Sequence, residues 1–559
     1  MRTRTTALAA ILAAAAALRL MALGTNPPAL FRDEAEKGYT AWSIAKMGGY
    51  VELDPHDATP RFHRWPLFIR TPGAVTSATY QYFDAPFTGL FGLNEWAIRL
   101  PAALAGIAGV GLCFLAANAV TGDRRAALLA AGLLAVSPWH VVFSRWAAQG
   151  IFVPLFVSAG VWLFWAWREK PSEPPWRPST PAWRPDAPAC RPDAPACRRG
   201  AWLRWPAAAL LFGAAAYTYD PARLTVPLLA VAMAACGFSE IRRRWGPATA
   251  AAIVFMAVMA PLIVFQMAGG AERLGRVSIF AEGISLWTAA GLFARNYGSH
   301  FSPVYLFVSG DQELRHSLPG FGQLLHVEAP LFVAGVIAML RRRQREDWFV
   351  LLWFLLGPLP AALTNEAPHA LRSIAALPSP AIISAIGFFA VWDWGRRHGR
   401  LIPYWTLTGV TMLIVGVELA AMVFTLFVVY PEQSAPNWQF GLKQALFQVR
   451  ERTPKGQAPP FVFVSSQIPF APCLALAYEQ TDPRQFREKG LEALRPIAFL
   501  PSPEANEEWS QRAPAGSWFV LTPHERPSGR PETAVFFPSL LPPDEPESRR
   551  PALLLYRKP

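Results

Sequence analysis

Apolar segments long enough to cross a lipid bilayer recur along most of this chain. A transmembrane helix needs roughly 17 to 25 mainly apolar residues, and about eleven segments meet that requirement. They lie near residues 6–24, 96–119, 125–142, 150–167, 203–218, 223–239, 247–268, 328–340, 348–364, 372–392 and 405–429. Of the 559 residues, 52% are hydrophobic and only 16% are charged, which excludes an ordinary soluble enzyme. The sequence therefore predicts an all-α polytopic membrane domain over residues 1–430.

Basic residues lie in every second loop between these segments, which indicates how the chain is oriented. The clusters are Arg2 with Arg4, Arg124 with Arg125, Arg198 with Arg199, Arg242–Arg244, Arg341–Arg343 with Arg345, and Arg396–Arg397 with Arg400. Because cytoplasmic loops carry an excess of Lys and Arg, the N-terminus is predicted inside and the region after residue 430 outside. We expect a multi-pass protein of the cytoplasmic (inner) membrane, with membrane lipids as partners. These loops explain the net charge of +13, so no nucleic-acid partner is expected.

Three segments predicted outside the membrane are too long to be simple connections, and long ordered loops often carry function. The first outer loop covers residues 26–95 and contains an amphipathic stretch, Glu36–Met47, which suits a helix on the membrane surface. The second covers residues 268–326. Residues 431–559 are predicted to form a small extracytoplasmic α/β domain. Its predicted elements are a helix at Gly441–Arg452 and strands at Phe461–Val464, Trp518–Leu521 and Leu553–Tyr556.

One cytoplasmic loop, residues 170–200, is rich in proline and contains a tandem repeat. The seven residues Arg184–Cys190 recur identically as Arg191–Cys197. A Pro-rich repeat cannot bury a hydrophobic core, so disorder is predicted here. A docking motif is the alternative interpretation.

Two adjacent carboxylates, Asp33 and Glu34, follow the first apolar segment. An ionisable residue near membrane depth is costly and suggests function. One interpretation is a polar cap where a helix enters water. The other is a general base, since a carboxylate in a partly dry cleft can accept a proton from a hydroxyl nucleophile. Two neighbours are not expected to do the same work, so one would face the cleft while the other makes structural hydrogen bonds.

Several arginines lie on predicted outer loops, against the trend of the basic clusters. They are Arg145, Arg223, Arg315 and Arg372. A guanidinium near an apolar span usually has a partner, and a phosphate matches its fork of donors. For any single arginine there are two competing interpretations. It could form an ion pair with an acid such as Asp220 or Asp311, or extend its side chain toward lipid headgroups. The histidines His316 and His369 accompany two of these arginines and are candidates to assist in phosphate binding.

A run of acidic and histidine residues in the first outer loop is a weak candidate for a divalent metal site. Its members are Asp54, His56 and Asp57. Their spacing matches no established ligand pattern, so a polar loop is the preferred interpretation. No cofactor is firmly predicted.

Taken together, these motifs resemble the GT-C class of membrane glycosyltransferases, above all its bacterial protein-mannosyltransferase and aminoarabinose lipid A transferase type (family 39). The segments that carry the resemblance, in this order, are Phe31–Ala35, Arg99–Gly106, Ser144–Arg145, Tyr217–Arg223 and Pro368–Arg372. The set in this order is far more specific than any single segment.

The resemblance implies a hexosyl- or pentosyltransferase with two half-embedded helices in the first outer loop. It implies a polyprenyl-phosphate sugar donor, used from the outer face, and a hydroxyl acceptor that is a lipid, a glycan or a protein. Asp33 would activate the acceptor, with inversion at the anomeric carbon, and Glu34 would be its structural neighbour. Outer arginines would hold the departing lipid phosphate, so electrostatic stabilisation could replace a general acid.

Two other classes of protein remain alternatives at this point. A transporter or flippase of lipid-linked sugars also needs arginines for phosphate, but more often has internal repeats and paired Gly/Pro breaks, which the sequence lacks. A non-catalytic assembly factor would tolerate the substitution Asp33→Asn.

Overall fold

The computed structural model describes residues 2–52, 60–71, 74–166, 195–270, 277–280, 284–398, 404–454, 457–502, 505–525, 531–541, 545 and 550–558. Asp54, His56 and Asp57, and the Pro-rich loop as far as residue 194, lie outside the described residues.

Helices dominate the described part of the chain. In the membrane region they are α1 (Arg2–Leu20), α2 (Arg32–Met47), α3 (Thr79–Phe91), α4 (Glu95–Thr121), α5 (Arg124–Val136), α6 (Pro138–Phe143), α7 (Phe152–Trp165), α8 (Pro195–Thr218), α9 (Ala222–Cys236), α10 (Phe238–Arg243), α11 (Trp245–Phe265), α12 (Leu286–Ser299), α13 (Glu328–Arg342), α14 (Arg345–Leu356), α15 (Leu359–Ala362), α16 (Ser379–His398) and α17 (Tyr404–Phe424). Later in the chain follow α18 (Tyr430–Ser434), α19 (Leu442–Arg452), α20 (Ala471–Tyr478), α21 (Pro483–Lys489) and α22 (Ala505–Arg512).

Strands occur in two places. The predicted first outer loop contains two antiparallel hairpins, formed by β1 (Gly49–Glu52), β2 (Arg61–Arg64), β3 (Phe68–Thr71) and β4 (Ala74–Ser77). The terminal domain contains β5 (Val462–Val464), β6 (Ile497–Phe499), β7 (Trp518–Leu521), β8 (Thr533–Phe536) and β9 (Pro551–Arg557). These five form one sheet of order β6-β5-β7-β9-β8, parallel from β6 to β7 and antiparallel beyond. The predicted small sheet domain is therefore confirmed.

A helix overlaps each of the eleven predicted apolar segments, but the number of spans is not confirmed. Within the described residues, four helical runs are long and apolar enough to cross a membrane: Glu95–Thr121, Trp245–Gly269, Ile374–Arg397 and Met412–Trp438. The first and third are 67% and 78% buried inside the protein, whereas the second and fourth are only 11% and 17% buried. Apolar helices exposed to this extent are suited to contact with lipid rather than with water.

Prolines explain why several predicted segments are shorter as helices. The predicted segment 125–142 divides into α5 and α6 because Pro138 starts a new helix, which Ser137 caps by accepting a hydrogen bond from His140 N. The predicted segment 348–364 likewise divides after α14, just before Pro358. A proline inside a helix removes one backbone donor and disfavours helical geometry in the residue before it.

Glycine permits one close helix contact between α13 and α16. α13 packs along α16, and a Cβ built on Gly387 would lie 1.8 Å from Leu331 O. A Cβ on Gly335 would lie 2.0 Å from Ile383 O. Any larger residue at either position would separate the helices, which is the usual reason for small residues at such interfaces.

The first outer loop and the terminal domain pack against each other. Helix α2 contacts α3, α4 and α20, so it lies between the membrane region and the terminal domain. Across this contact Tyr39 Oη donates to Thr481 O at 3.1 Å, and Gln480 Nε2 donates to Leu93 O at 3.0 Å. These contacts hold α2, which carries the two adjacent carboxylates, against the terminal domain.

Candidate active site

The two carboxylates in the first turn of α2 have different environments. Glu34 has a side chain with 0% exposure, and its oxygens accept hydrogen bonds from Phe31 N at 3.2 Å and Ala147 N at 3.0 Å. Asp33 has a side chain that is 46% exposed, and its ion pair with Arg32 is loose, at 3.6 Å. One carboxylate is therefore part of the interior, while its neighbour is open to an incoming molecule.

The buried carboxylate is held by Arg99, from α4. Arg99 donates from Nε and Nη2 to the two oxygens of Glu34, both at 3.0 Å, and the Arg99 side chain is also 0% exposed. Its other donors reach the carbonyls of Leu23, Pro27 and Ala29 at 3.1, 2.9 and 2.6 Å. A guanidinium has five N–H donors, and here two bind Glu34 in the first turn of α2 and three bind the chain between α1 and α2.

Aromatic and strained residues surround Arg32, the residue before Asp33. The Arg32 guanidinium lies 5.2 Å from the ring of Phe31 and 4.8 Å from the ring of Phe470, which comes from the terminal domain. Its backbone N donates to Gln439 Oε1 at 2.8 Å, and Gln439 Nε2 donates to Pro469 O at 2.6 Å. Gln439 and Phe470 both have left-handed backbone, with φ of 52° and 57°. Both residues lie at helix ends: Gln439 follows the short helix Ala435–Trp438, and Phe470 directly precedes α20.

Glu36 lies one turn after Asp33 on α2 and has an unusual environment. Its Oε1 atom is buried and makes no hydrogen bond to any residue that the structure describes. Burial raises the pKa of Glu36 to about 8, with Lys37 opposing the shift and Asp33 adding to it. This carboxyl can therefore hold a proton near neutral pH.

One of the predicted phosphate-binding arginines lies beside this turn. The Arg315 guanidinium is 3.7 Å from the centroid of the Phe31 ring, and its Nε donates to Glu313 Oε1 at 3.1 Å. Asn437 Nδ2 donates to the same Glu313 oxygen at 2.7 Å. Arg315 and Asp33 are therefore both neighbours of the short segment Phe31–Arg32.

His316 and His369 lie together with Asp311, a residue not among the predicted site residues. His316 Nδ1 is 3.2 Å from Asp311 Oδ2, and the His316 and His369 rings have centroids 4.7 Å apart. Burial, reinforced by the neighbouring His316, keeps the pKa of His369 far below its usual value, so this imidazole is neutral. Burial alone would raise the pKa of Asp311, but hydrogen bonds from His316 and from the backbone hold it below its usual value.

The remaining predicted arginines already have partners. Arg372 donates to Thr364 Oγ1 at 2.7 Å and to Glu366 Oε2 at 2.8 Å. Arg223 pairs with Asp220 at 2.7 Å. Arg145 is buried and donates to the carbonyls of Leu18, Met21 and Asn26, at 2.6, 2.9 and 2.8 Å. The structure thus places Arg315 against Phe31, which directly precedes α2, whereas Arg145 holds the chain between α1 and α2.

Comparison with known proteins identifies the fold. Residues 77–179 match the family described as dolichyl-phosphate-mannose-protein mannosyltransferase, and no curated protein matches the sequence. ArnT from Cupriavidus metallidurans, bound to undecaprenyl phosphate, is similar in structure, with a TM-score of 0.55 and 13% sequence identity. The superposition covers 98% of this chain and 97% of ArnT. ArnT in its apo state gives 14% identity, 93% coverage of each chain and a TM-score of 0.53. An oligosaccharyltransferase from Archaeoglobus fulgidus gives 13% identity, 93% coverage of this chain, 69% of its own and a TM-score of 0.48. The chain has the fold of the GT-C membrane glycosyltransferases.

The resemblance inferred from the motifs is therefore confirmed at the level of the GT-C fold. Sequence reasoning about this GT-C chain nevertheless missed Arg99, Glu36 and Asp311 as site residues. Arg99 carried a signal, because it is a charged residue in the first turns of a long apolar helix. Asp311 also carried one, since it lies five residues before His316 in the same outer segment.

Proposed function

We propose that this protein is an inverting glycosyltransferase that moves a sugar from a polyprenyl-phosphate carrier to a hydroxyl acceptor. The observation that carries the proposal is that the two acidic residues differ in environment within a GT-C fold. Glu34 is buried and paired with Arg99, while the side chain of Asp33 is 46% exposed. Asp33 would act as the general base that removes the proton from the acceptor hydroxyl as it attacks the anomeric carbon. Glu34 would hold the turn that presents Asp33.

The departing lipid phosphate needs cationic donors, and Arg315 is the best supported of the four arginines. Of the Arg315 nitrogens, only Nε has a hydrogen-bond partner among the described residues, so the two terminal nitrogens remain available to a phosphate oxygen. Arg372 is the second choice, with His316 and His369 close by. Arg145 and Arg223 are less well supported, because the Arg145 terminal nitrogens bind carbonyls and Arg223 is paired with Asp220.

The donor class rests on the fold and on the chemistry of the site. ArnT, which shares the fold at 13% identity, was crystallised with undecaprenyl phosphate. We propose a carrier of the same kind here, used at the outer face of the cytoplasmic membrane, with residues 431–559 also outside. An acceptor that enters from that side would meet Phe470 and Gln439 next to Asp33.

The test is transfer by purified full-length protein in detergent, with radiolabelled polyprenyl-phosphate sugars as donors and a crude envelope extract as acceptor source. Asp33→Asn is compared with wild type and with Glu492→Gln, which removes an exposed carboxylate of the terminal domain. We expect transfer by wild type and Glu492→Gln, and loss of transfer with retained donor binding in Asp33→Asn.

Two outcomes would contradict this proposal. Equal transfer by wild type and Asp33→Asn would show that another group is the base. Donor binding without transfer by any variant, with several acceptor extracts, would favour a transporter of lipid-linked sugars.

A further inference from the structure

Three side chains from two separate outer segments meet beside the proposed phosphate site. Asp311 and His316 lie between α12 and α13, whereas His369 lies between α15 and α16. One ligand atom from each residue lies within 4.8 Å of the corresponding atoms of the other two. The side chains of Asp311, His316 and His369 are only 8%, 9% and 11% exposed.

The chemistry of this cluster is that of a metal ligand set. Imidazole nitrogen and carboxylate oxygen are both ligands of Zn²⁺, and three protein ligands leave a fourth position open. Bonds of about 2.0–2.1 Å in a tetrahedron place ligand atoms about 3.4 Å apart. The contact between Asp311 Oδ2 and His316 Nδ1, at 3.2 Å, already has nearly this length. An ion bound between these two atoms would replace this contact.

The groups around the cluster hold the ligands in position. Asp311 Oδ1 accepts from Glu313 N at 3.0 Å, and Asp311 Oδ2 accepts from Ala370 N at 2.8 Å. The backbone N of His369 donates to His300 Nε2 at 3.1 Å. His369 Nδ1 also accepts a long hydrogen bond from Arg372 N, at 3.3 Å. Partners of this kind orient metal ligands. If Nδ1 were the ligand atom of His369, its contact with Arg372 N would have to yield, in addition to the contact between Asp311 and His316.

We infer that Asp311, His316 and His369 form a binding site for a divalent transition-metal ion, best matched by Zn²⁺. The ion would tie the segment that ends at His316 to the segment around His369. Those two segments carry Arg315 and Arg372, so the ion would fix the spacing of two arginines and add positive charge beside them. Metal binding does not rest on the proposed transferase activity, because it can be measured without donor or acceptor.

The experiment uses full-length protein in detergent, treated with a chelator and transferred to metal-free buffer. Zn²⁺ is titrated by calorimetry, and Co²⁺ is titrated as a probe whose visible absorption reports coordination by nitrogen and oxygen. The variants are His369→Gln, His316→Gln and Asp311→Asn. The control is His326→Gln, which removes an outer histidine that pairs with Glu418 instead. Size-exclusion chromatography verifies that each variant is folded.

We expect wild type and His326→Gln to bind one ion with the same affinity, and each cluster variant to bind at least about tenfold more weakly. Asp311→Asn tests the site even if the histidine variants fail to fold, because its amide oxygen can still accept one backbone N–H. The inference is overturned if wild type binds neither metal, or if all the folded cluster variants bind as wild type does. In that case the three residues are only a hydrogen-bonded link between two segments.

Discussion

The substitution Glu34→Ala should lower the stability of the protein far more than the substitution Asp33→Ala, although the two carboxylates are neighbours in sequence. Removing Glu34 leaves the buried Arg99 with no acceptor for its Nε and with only the carbonyl of Ala29 for its Nη2. It also removes the acceptor for Phe31 N and Ala147 N. Asp33 has only the loose contact to Arg32 and is half exposed, so its removal disturbs little.

The magnitude follows from what remains around Arg99. Removing one partner of a buried ion pair costs about 3–5 kcal/mol. Arg99 keeps the carbonyls of Leu23, Pro27 and Ala29, which places Glu34→Ala nearer about 3 kcal/mol. Each 1.4 kcal/mol is a factor of ten, so the unfolded fraction should rise about a hundredfold. Asp33→Ala should change stability by no more than about 0.5 kcal/mol.

The measurement is the monodisperse fraction in size-exclusion chromatography after heating in detergent over a series of temperatures. Unfolding of a large membrane protein is commonly irreversible, so the variants are compared at one heating time. Glu34→Ala should lose its peak at a markedly lower temperature than wild type, and Asp33→Ala at nearly the same temperature. If both variants lose their peaks together, Glu34 does not stabilise the turn and the division of the pair is refuted.

Three further predictions use the same preparation. Asp84 is fully buried, neither of its carboxylate oxygens has a hydrogen-bond partner among the described residues, and burial raises its pKa well above the usual value. Asp84→Asn should therefore raise the unfolding temperature at pH 7. A lower unfolding temperature would contradict this prediction. The pKa of Glu36 is about 8 in the folded protein, above its ordinary 4.5, so the stability that this group contributes is full below pH 4.5 and is lost as the pH rises through 8. Glu36→Gln should flatten the plot of unfolding temperature against pH in this range. An unchanged plot would show that the pKa of Glu36 is not raised. Arg315→Lys keeps the charge but loses the planar guanidinium, so the affinity for the polyprenyl-phosphate donor should fall about tenfold or more. The control is Arg512→Lys, on a surface helix, which should leave donor affinity unchanged.

Local patterns predicted the elements of this fold well where the signal lies in neighbouring residues. The apolar strand Trp518–Leu521 lies where its sequence indicates, in the interior of the sheet. Ser137 with Pro138 carried enough information to predict the break between α5 and α6, although hydrophobicity alone favoured one span. Whether the shorter helices span the membrane depends on tilt and on packing partners, which hydrophobicity does not determine.

The site was predictable only in part, because its contacts join distant positions. The acidic pair was predicted as a candidate from its place after an apolar segment. Which of the two carboxylates is buried depends on Arg99, which is 65 residues from Glu34. Likewise Asp311 and Ala370 are 59 residues apart and meet only because the fold from α12 to α16 brings two connecting segments together. No local pattern contains such pairings, since they arise from tertiary packing.

The terminal domain contributes residues that contact the candidate site. Phe470 and Gln439 follow the last apolar helix, yet both contact Arg32, the residue next to Asp33. Gln439 joins the two parts directly, because its side chain accepts a hydrogen bond from Arg32 N and donates one to Pro469 O. A shift of the terminal domain would therefore move the groups beside the proposed base. Within the proposed function, we expect residues 431–559 to govern which acceptor hydroxyl reaches Asp33, while the membrane region holds the donor.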